Sequence, residues 1–316
     1  MRFHICYLKP KGPIHLGEKE GNLEGSLTFI HSDTLFSAFC SAFHLLYGKD
    51  ELEKLLKNFE DKKPDFLISS AFPYWGNRLF FPIPLHQTFV KKGVKKVQFI
   101  EKDGFEKLLI GEREGDWQTI PTDKEPYYPW ELENIPRVAL GRLDNHPGEN
   151  FFHFGQTTYR DDAGLFFIIR YQNENFQTKF EAAMRLLADE GIGGDRSSGK
   201  GLMEKPTFNE IELNLPEEGD AIITLSLYYP DEDEISGLGE GFYNLIERKG
   251  YIYSPYGSSL RRRSVRMFSE GSVFPKKPEK IGKLVSVTPN IFSQHQVYRY
   301  GYLFALPCKI GRENED

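Results

Sequence analysis

The sequence predicts an α+β protein of two similar halves, and three observations carry that prediction. A strand-helix-strand-strand order of hydrophobic patterns opens the chain, the same order restarts after residue 160, and 316 residues exceed one ordinary core but fit two domains of about 100 to 200 residues each. Hydrophobic residues at 39% and charged residues at 27% are near globular norms, which excludes a disordered chain.

Phe3 to Leu8 alternates Phe3, Ile5 and Tyr7 against His4, Cys6 and Leu8, and reads as a strand buried on both faces, ended by Pro10, Gly12 and Pro13. Ser32 or Asp33 offers a helix N-cap. Leu35, Phe36, Phe39, Phe43, Leu46 and Tyr47 follow at helical spacing up to a stop at Gly48. Residues 66–72 and 78–83 supply two strands, the second closed by Pro82 and Pro84. This is the opening of a βαββαβ, or ferredoxin-like, unit. In the second half Leu165 to Tyr171 reads as a strand, and Phe176, Phe180, Ala183, Met184, Leu187 and Ala188 as a helix stopped at Gly191. Strands follow at 207–213, 221–229, 252–253, 283–287 and 298–306. The expected division is an N-terminal ferredoxin-like domain, 1–160, and a C-terminal one, 161–316, which carries a glycine-rich loop.

From about 87 to 158 the periodicity loosens into an insertion. Lys91, Lys92, Lys95 and Lys96 form a basic run, and Pro121, Pro126, Pro129, Pro136 and Pro147 forbid long helices. Trp117, Tyr127, Tyr128, Trp130, Phe151, Phe152 and Phe154 argue that the insertion is ordered.

The glycine-rich loop, 191–201, puts five glycines, two serines and the cations Arg196 and Lys200 into eleven residues. Gly193, Gly194 and Gly199 allow the backbone to approach a ligand closely, and the N–H groups of Asp195, Ser197 and Ser198 could then converge on phosphate oxygens. Gly194 to Lys200 matches G-x-x-x-x-G-K, but Gly201 stands where a nucleotide-binding loop needs Ser or Thr for Mg²⁺. A dinucleotide fingerprint counted from Gly191 meets Arg196 where its last glycine belongs. A helix-to-strand loop with an open, charged backbone suits a sugar-phosphate chain.

The formal net charge of −6 has the wrong sign for a protein that coats nucleic acid over its whole surface. The charge is unevenly placed, however. Between 255 and 285 stand eight Lys or Arg, among them Arg261, Arg262, Arg263 and Arg266, against two Glu, a local balance of +6. One basic face for a polyanion, and acidic faces for solvent or protein partners, is the economical reading. Cys6, Cys40 and Cys308 lie far apart and read as reduced core thiols of a cytoplasmic protein. The N-terminus leads directly into a strand pattern, without a signal peptide or membrane span.

Three stretches carry a family resemblance. The helix running into Gly191-Ile192-Gly193-Gly194-Asp195-Arg196-Ser197-Ser198-Gly199-Lys200-Gly201 resembles the glycine-rich loop of the RAMP superfamily of CRISPR proteins. Ile30-His31-Ser32-Asp33-Thr34-Leu35-Phe36 is similar to the Ser-Asp-Thr-Leu motif of its fourth-Csm-subunit family in type III-A complexes, and Asp162-Ala163-Gly164-Leu165-Phe166-Phe167-Ile168 to that family's entry into its second half. The resemblance implies a non-catalytic subunit without cofactor or metal, which binds the 5′ repeat tag of the crRNA and joins the large polymerase-like subunit to the third, backbone, Csm subunit. It implies an extended hairpin, or thumb, for which Val138 to Phe154 with its 144–148 turn is the candidate; Asn145 stands where the family often carries Arg. The RNA path is assigned to residues 193–200, Arg261, Arg262 and Arg263, together with Lys9, Lys11, His15 and Ser32.

Two other readings stay open at this point. A repeat-RNA processing endonuclease would need a base near a 2′-hydroxyl, and His15, beside Lys9 and Lys11, is the one histidine placed for it. A plain protein adaptor would need no RNA affinity. The histidines show no H-x-x-x-H or H-E-x-x-H spacing, and the acidic run Asp231 to Glu234 after Pro230 reads as a solvated turn.

Overall fold

The structure, a computed structural model, describes residues 1–17, 23–90, 97–112, 115, 117–120, 128–138, 151–254, 256, 260–275 and 281–310. In chain order the elements are β1 (Arg2–Leu8), α1 (Ser32–Glu60), β2 (Phe66–Ile68), β3 (Phe72–Trp75), β4 (Arg78–Pro82), α2 (Leu85–Val90), β5 (Phe99–Glu101), α3 (Lys102–Leu109), β6 (Thr119–Ile120), β7 (Trp130–Val138), β8 (Phe151–Tyr159) and β9 (Ala163–Tyr171). There follow α4 (Gln177–Glu190), β10 (Thr207–Glu212), β11 (Ala221–Thr224), α5 (Glu232–Ile235), β12 (Leu245–Arg248), β13 (Val265–Phe268), β14 (Val273–Phe274), β15 (Gly282–Ser286), β16 (Tyr298–Tyr302) and β17 (Ala305–Cys308).

β1 sits inside the main sheet, antiparallel to β9 on one side, with Cys6 opposite Phe167, and to β10 on the other, with Ile5 opposite Asn209. β2 and β3 both pair with β9, and β4, β5 and β6 extend the sheet beyond β3. The order β10-β1-β9-β3 is that of one ferredoxin-like unit whose second strand is β2 and β3 together. The expected boundary at 160/161 therefore falls inside a sheet. The physical reason lies in β9: eight of its nine residues are buried, a pattern that needs a neighbour on each edge and a layer on each face. Arg78–Pro82, expected as the third strand, pairs outside β3 instead.

α1 and α4 cover one face of this sheet. Phe39 stacks on Phe180 at 4.8 Å and Phe43 on Phe176 at 5.6 Å, and each fully buried ring contributes about 1.5 to 3 kcal/mol. The helix stop at Gly48 is a break rather than an end, because Gly48 takes φ 83° and the chain turns helical again up to Glu60. Neither Ser32 nor Asp33 caps α1: the N-cap is His31, with no side-chain capping bond.

After Leu213 the described residues form three small antiparallel sheets, β14-β11-β17, β12-β13 and β15-β16, with α5 as their one helix. A second βαββαβ unit over 161–316 is thus not formed among the described residues, since β9, α4 and β10 complete the first one. The glycine-rich loop accordingly joins α4 to β10 of that first unit. Residues 252–253, expected as a strand, form none. The acidic run is not a solvated turn either. Asp231 and Glu234 close a capping box on α5, Asp231 pairs with Lys62 and with Lys283 (2.6 Å), and Glu234 accepts the N–H of Gly282 at 2.9 Å.

β7 and β8 pair over their whole length, from Trp130 opposite Tyr159 to Val138 opposite Phe151. The insertion therefore contains a hairpin that begins eight residues before the expected Val138; its 144–148 turn and Asn145 lie outside the described residues, as do the four lysines 91, 92, 95 and 96. Cys6 and Cys308 are buried and Cys40 half-buried, all as free thiols.

Candidate nucleic-acid interface

The glycine-rich loop is clamped between the hairpin and the segment that follows β1. His15 forms a bridge to Gly194, whose N–H donates to the His15 carbonyl at 2.9 Å, and Gly201 N–H donates to the Pro13 carbonyl at 3.0 Å. Gly191 and Ile192 give their N–H groups to Leu187 and Gly201. Four loop amides, that of Gly194 from the expected RNA path among them, are thus spent inside the protein, and the exposed part of the loop is its apex, where Arg196–Ser198 form one 3-10 turn between left-handed Asp195 and Gly199. Gly193 has φ 98°, but a Cβ there would meet the His15 carbonyl oxygen at 2.3 Å. Gly194 lies outside the left-handed region and would instead strike the His15 ring at 2.8 Å. Within the loop, Gly199 alone combines a positive φ, 84°, with open space.

Lys200 departs furthest from expectation. It is 8% exposed, donates to Gln156 Oε1 at 2.6 Å, pairs with Asp195 at 3.7 Å and lies 4.4 Å from the Phe154 ring. Burial, then the Arg137 charge, pull its ammonium below the usual lysine range. Arg137 completes the clamp, paired with Asp195 at 2.7 Å and stacked on the other partner of Lys200, Phe154, at 4.6 Å. His15 belongs to the same clamp: its Nδ1–H donates to the Gly155 carbonyl at 2.7 Å and its ring lies 4.3 Å from Phe154. Burial holds His15 below the ordinary histidine range. Asp195, paired twice, keeps a carboxyl below the usual range although burial alone would raise it.

Beside the loop apex opens a groove of about 860 Å³. Its walls are the loop from Gly191 to Ser197, one face of α1 with Thr34, Ser37 and Ser41, and the C-terminal residues Arg248, Tyr251, Tyr253 and Arg262. Arg196 lies over the Tyr253 ring at 4.5 Å, a cation on an aromatic face that joins the loop to the C-terminal wall. Of the three consecutive arginines, only Arg262 lines the groove. Arg261 stacks on Tyr251 at 5.8 Å, and Arg263 is exposed and donates to the Ser286 carbonyl at 3.0 Å. Lys9 and Lys11 form surface pairs with Glu204 (3.0 Å) and Asp189 (3.9 Å) and do not line it.

Ser32 is removed from any ligand: it is 0% exposed and its Oγ accepts the N–H of Leu227 at 3.0 Å. Asp33 beside it is equally buried and holds Arg248 in a fork, Nε to Oδ2 at 3.0 Å and Nη2 to Oδ1 at 2.9 Å, with Arg299 on Oδ2. The Ser-Asp pair thus fastens the start of α1 to the C-terminal sheets. His31 adds a buried bond from Nδ1 to Glu270 at 2.8 Å.

Sequence reasoning missed Arg137, Gln156, Arg248 and Arg299, none of which sits in a periodic or glycine-rich pattern. Thr34, Ser37 and Ser41 were findable, as small polar residues at helical spacing opposite the aromatic stripe of α1.

A ferredoxin-like unit with a glycine-rich loop after its second helix, facing a groove lined by guanidiniums and tyrosines, defines a class, and comparison with known proteins agrees. Residues 7–204 match the RAMP superfamily, to which this chain belongs. Residues 217–308 match the CRISPR Csm4 C-terminal domain, and within the superfamily the chain is a member of the Csm4 family. It is 28% identical to the CRISPR system Cms protein Csm4 of Methanocaldococcus jannaschii over 98% of this chain and 99% of that protein, and 27% identical to the Csm4 of Thermococcus onnurineus over 98% of each. Among solved structures, a chain of the Csm3-Csm4 subcomplex of the type III-A CRISPR-Cas interference complex superposes with a TM-score of 0.67 at 24% identity, covering 96% of this chain and 99% of that one. A chain of the Csm1-Csm4 cassette in complex with pppApA gives 0.66 at 22% identity, covering 99% and 100%. Among the described residues no helix is long and apolar enough to cross a membrane.

Proposed function

We propose that the chain is the RNA-gripping end subunit of a type III-A Csm complex in the cytoplasm, linking the large subunit Csm1 to the backbone subunit Csm3 and holding the 5′ tag of the crRNA. The groove carries this reading, because one cleft brings together the cations Arg196, Arg248 and Arg262, the hydroxyl face of α1 and two tyrosines. Phosphates need the first, sugar hydroxyls the second, and unstacked bases the aromatic faces of the third. The subunit acts by holding RNA rather than cutting it. In support, His15 is buried, bound to the Gly155 carbonyl and packed on Phe154, and Asp231 and Glu234 are bound to Lys62, Lys283 and Gly282. The division between units falls near 213–220, between β10 and β11, in this reading.

The test is a salt titration of tag-RNA binding. Arg196→Ala should weaken binding by about 1 to 2 kcal/mol and lower the salt slope by about 0.7, one phosphate contact of a single strand. Lys200→Ala should leave that slope unchanged and lower the melting temperature instead, since Lys200 is a clamp residue. An Arg196→Ala chain with wild-type affinity and slope sinks the groove assignment. RNA cleavage products that vanish in His15→Ala would make the chain a processing enzyme, and no affinity for RNA at all would make it an adaptor.

A further inference from the structure

We infer that Arg262, with the free edge of Arg248, forms a discrete site for one tetrahedral oxyanion, a phosphate group, at the inner wall of the groove, and that its occupancy stabilises the packing of the C-terminal sheets on α1. The argument starts from an imbalance of buried charge. Asp33 is one carboxylate, and Arg248, Arg299 and Arg262 all feel it. Arg248 and Arg299 are its hydrogen-bond partners, and Arg299 also donates to the Lys249 carbonyl. The Arg262 side chain has none of these bonds: its Nε is buried without a partner among the described residues.

A buried donor on a charged group carries its full desolvation cost when it stays unpaired. Burial, then the Arg299 and Arg248 charges, pull Arg262 down to about 10, which leaves it protonated at pH 7. Arg248 spends Nε and Nη2 on Asp33 and Nη2 also on Thr34, so its Nη1 edge stays available in the same groove. Two guanidiniums line one cavity, and the three cations Arg248, Arg262 and Arg299 outnumber the two carboxylates that act on them, Asp33 and Glu270, an excess that matches a phosphate oxyanion in sign and in hydrogen-bond number. Other sequence-predicted cations differ: Lys200, Lys9 and Lys11 each have a carboxylate partner, and Arg196 and Arg263 donate to the Gly191 and Ser286 carbonyls.

The site rests on the RNA reading only for the source of the phosphate, which is a phosphodiester of the bound strand or a free phosphate ion. The experiment is thermal unfolding of the full chain in sodium phosphate against sodium chloride of equal ionic strength. Phosphate at tenfold above its dissociation constant should raise Tm by about 2 to 3 °C beyond chloride. Arg262→Gln should unfold at a higher temperature than wild type without phosphate, because it removes an unpartnered charge, and should lose the phosphate shift. Arg262→Lys, which keeps charge but not the planar fork, should retain less than half of the shift. Arg196→Ala should keep the whole shift while binding RNA less tightly, which separates the two readings. If a saturating single-stranded RNA abolishes the phosphate shift, the source is the strand; if the shift persists beside bound RNA, it is the free ion. Equal shifts in chloride and phosphate, or an undiminished shift in Arg262→Gln, would overturn the site.

Discussion

Asp33→Asn should destabilise the chain by about 3 to 5 kcal/mol, the cost of stranding buried cations when the carboxylate they bond is removed. The substitution keeps the volume, so packing is not the cause. It leaves Arg248 and Arg299 with an amide where a carboxylate accepted from both. Urea unfolding checks it through the midpoint, and Arg248→Met in the same chain should restore part of the loss, because it deletes one of the stranded charges. A midpoint within 0.5 kcal/mol of wild type, roughly the spread of surface substitutions, would show that the clamp contributes nothing.

The same carboxylate sets an acid limit. Burial alone would raise the Asp33 pKa, but Arg248 and then Arg299 overcome it and hold the group well below the carboxylate range. A depressed folded pKa means stability that is fully present above the unfolded value, about 4, and lost as pH falls below it toward the folded one. Asp33→Asn should therefore flatten the loss of stability below about pH 4, while wild type falls steeply.

What the sequence made legible follows from what periodicity can carry. β1, α1, β9 and α4 were readable because each buries an alternating or helical apolar set, Phe39 and Phe180 among them. Which strand neighbours which was not. Two βαβ runs of equal pattern can close as two sheets or as one, and only the double-sided burial of Ala163–Tyr171, against edges supplied by β1 and β3, decides for one. The glycine loop was found at its true position, but its glycines were read as room for a ligand. Most of that room is occupied by residues 13–15, a contact between segments some 180 residues apart that no local pattern announces. Ser32 and Asp33 were ambiguous for a related reason: a capping residue and a tertiary clamp at a helix start use the same side chains. Arg262 could not be told from Arg261 and Arg263, because consecutive identical residues differ only in which way the backbone turns them.

The glycines themselves give the sharpest contrast. Gly201→Ala should destabilise by about 3 kcal/mol or more, since a Cβ at φ 75° would lie 2.0 Å from the Ile192 carbonyl oxygen and 3.0 Å from its carbon. The backbone there cannot yield cheaply: Ile192 N–H donates to the Gly201 carbonyl and Gly201 N–H to Pro13, so a shift breaks the attachment of the loop to the β1 extension. Gly199→Ala should cost only about 1 to 2 kcal/mol, the left-handed penalty alone, because nothing stands within 4 Å of its Cβ. RNA affinity should order them the other way once folding is accounted for. Gly199 is exposed at the loop apex, two residues beyond Ser197, which lines the groove, whereas Gly201 is buried behind it. Urea midpoints and tag-RNA titrations of both variants below their melting temperatures decide this. Equal stability losses would mean that the loop backbone relaxes freely, and the clamp formed by His15, Arg137 and Lys200 would not be what fixes its shape.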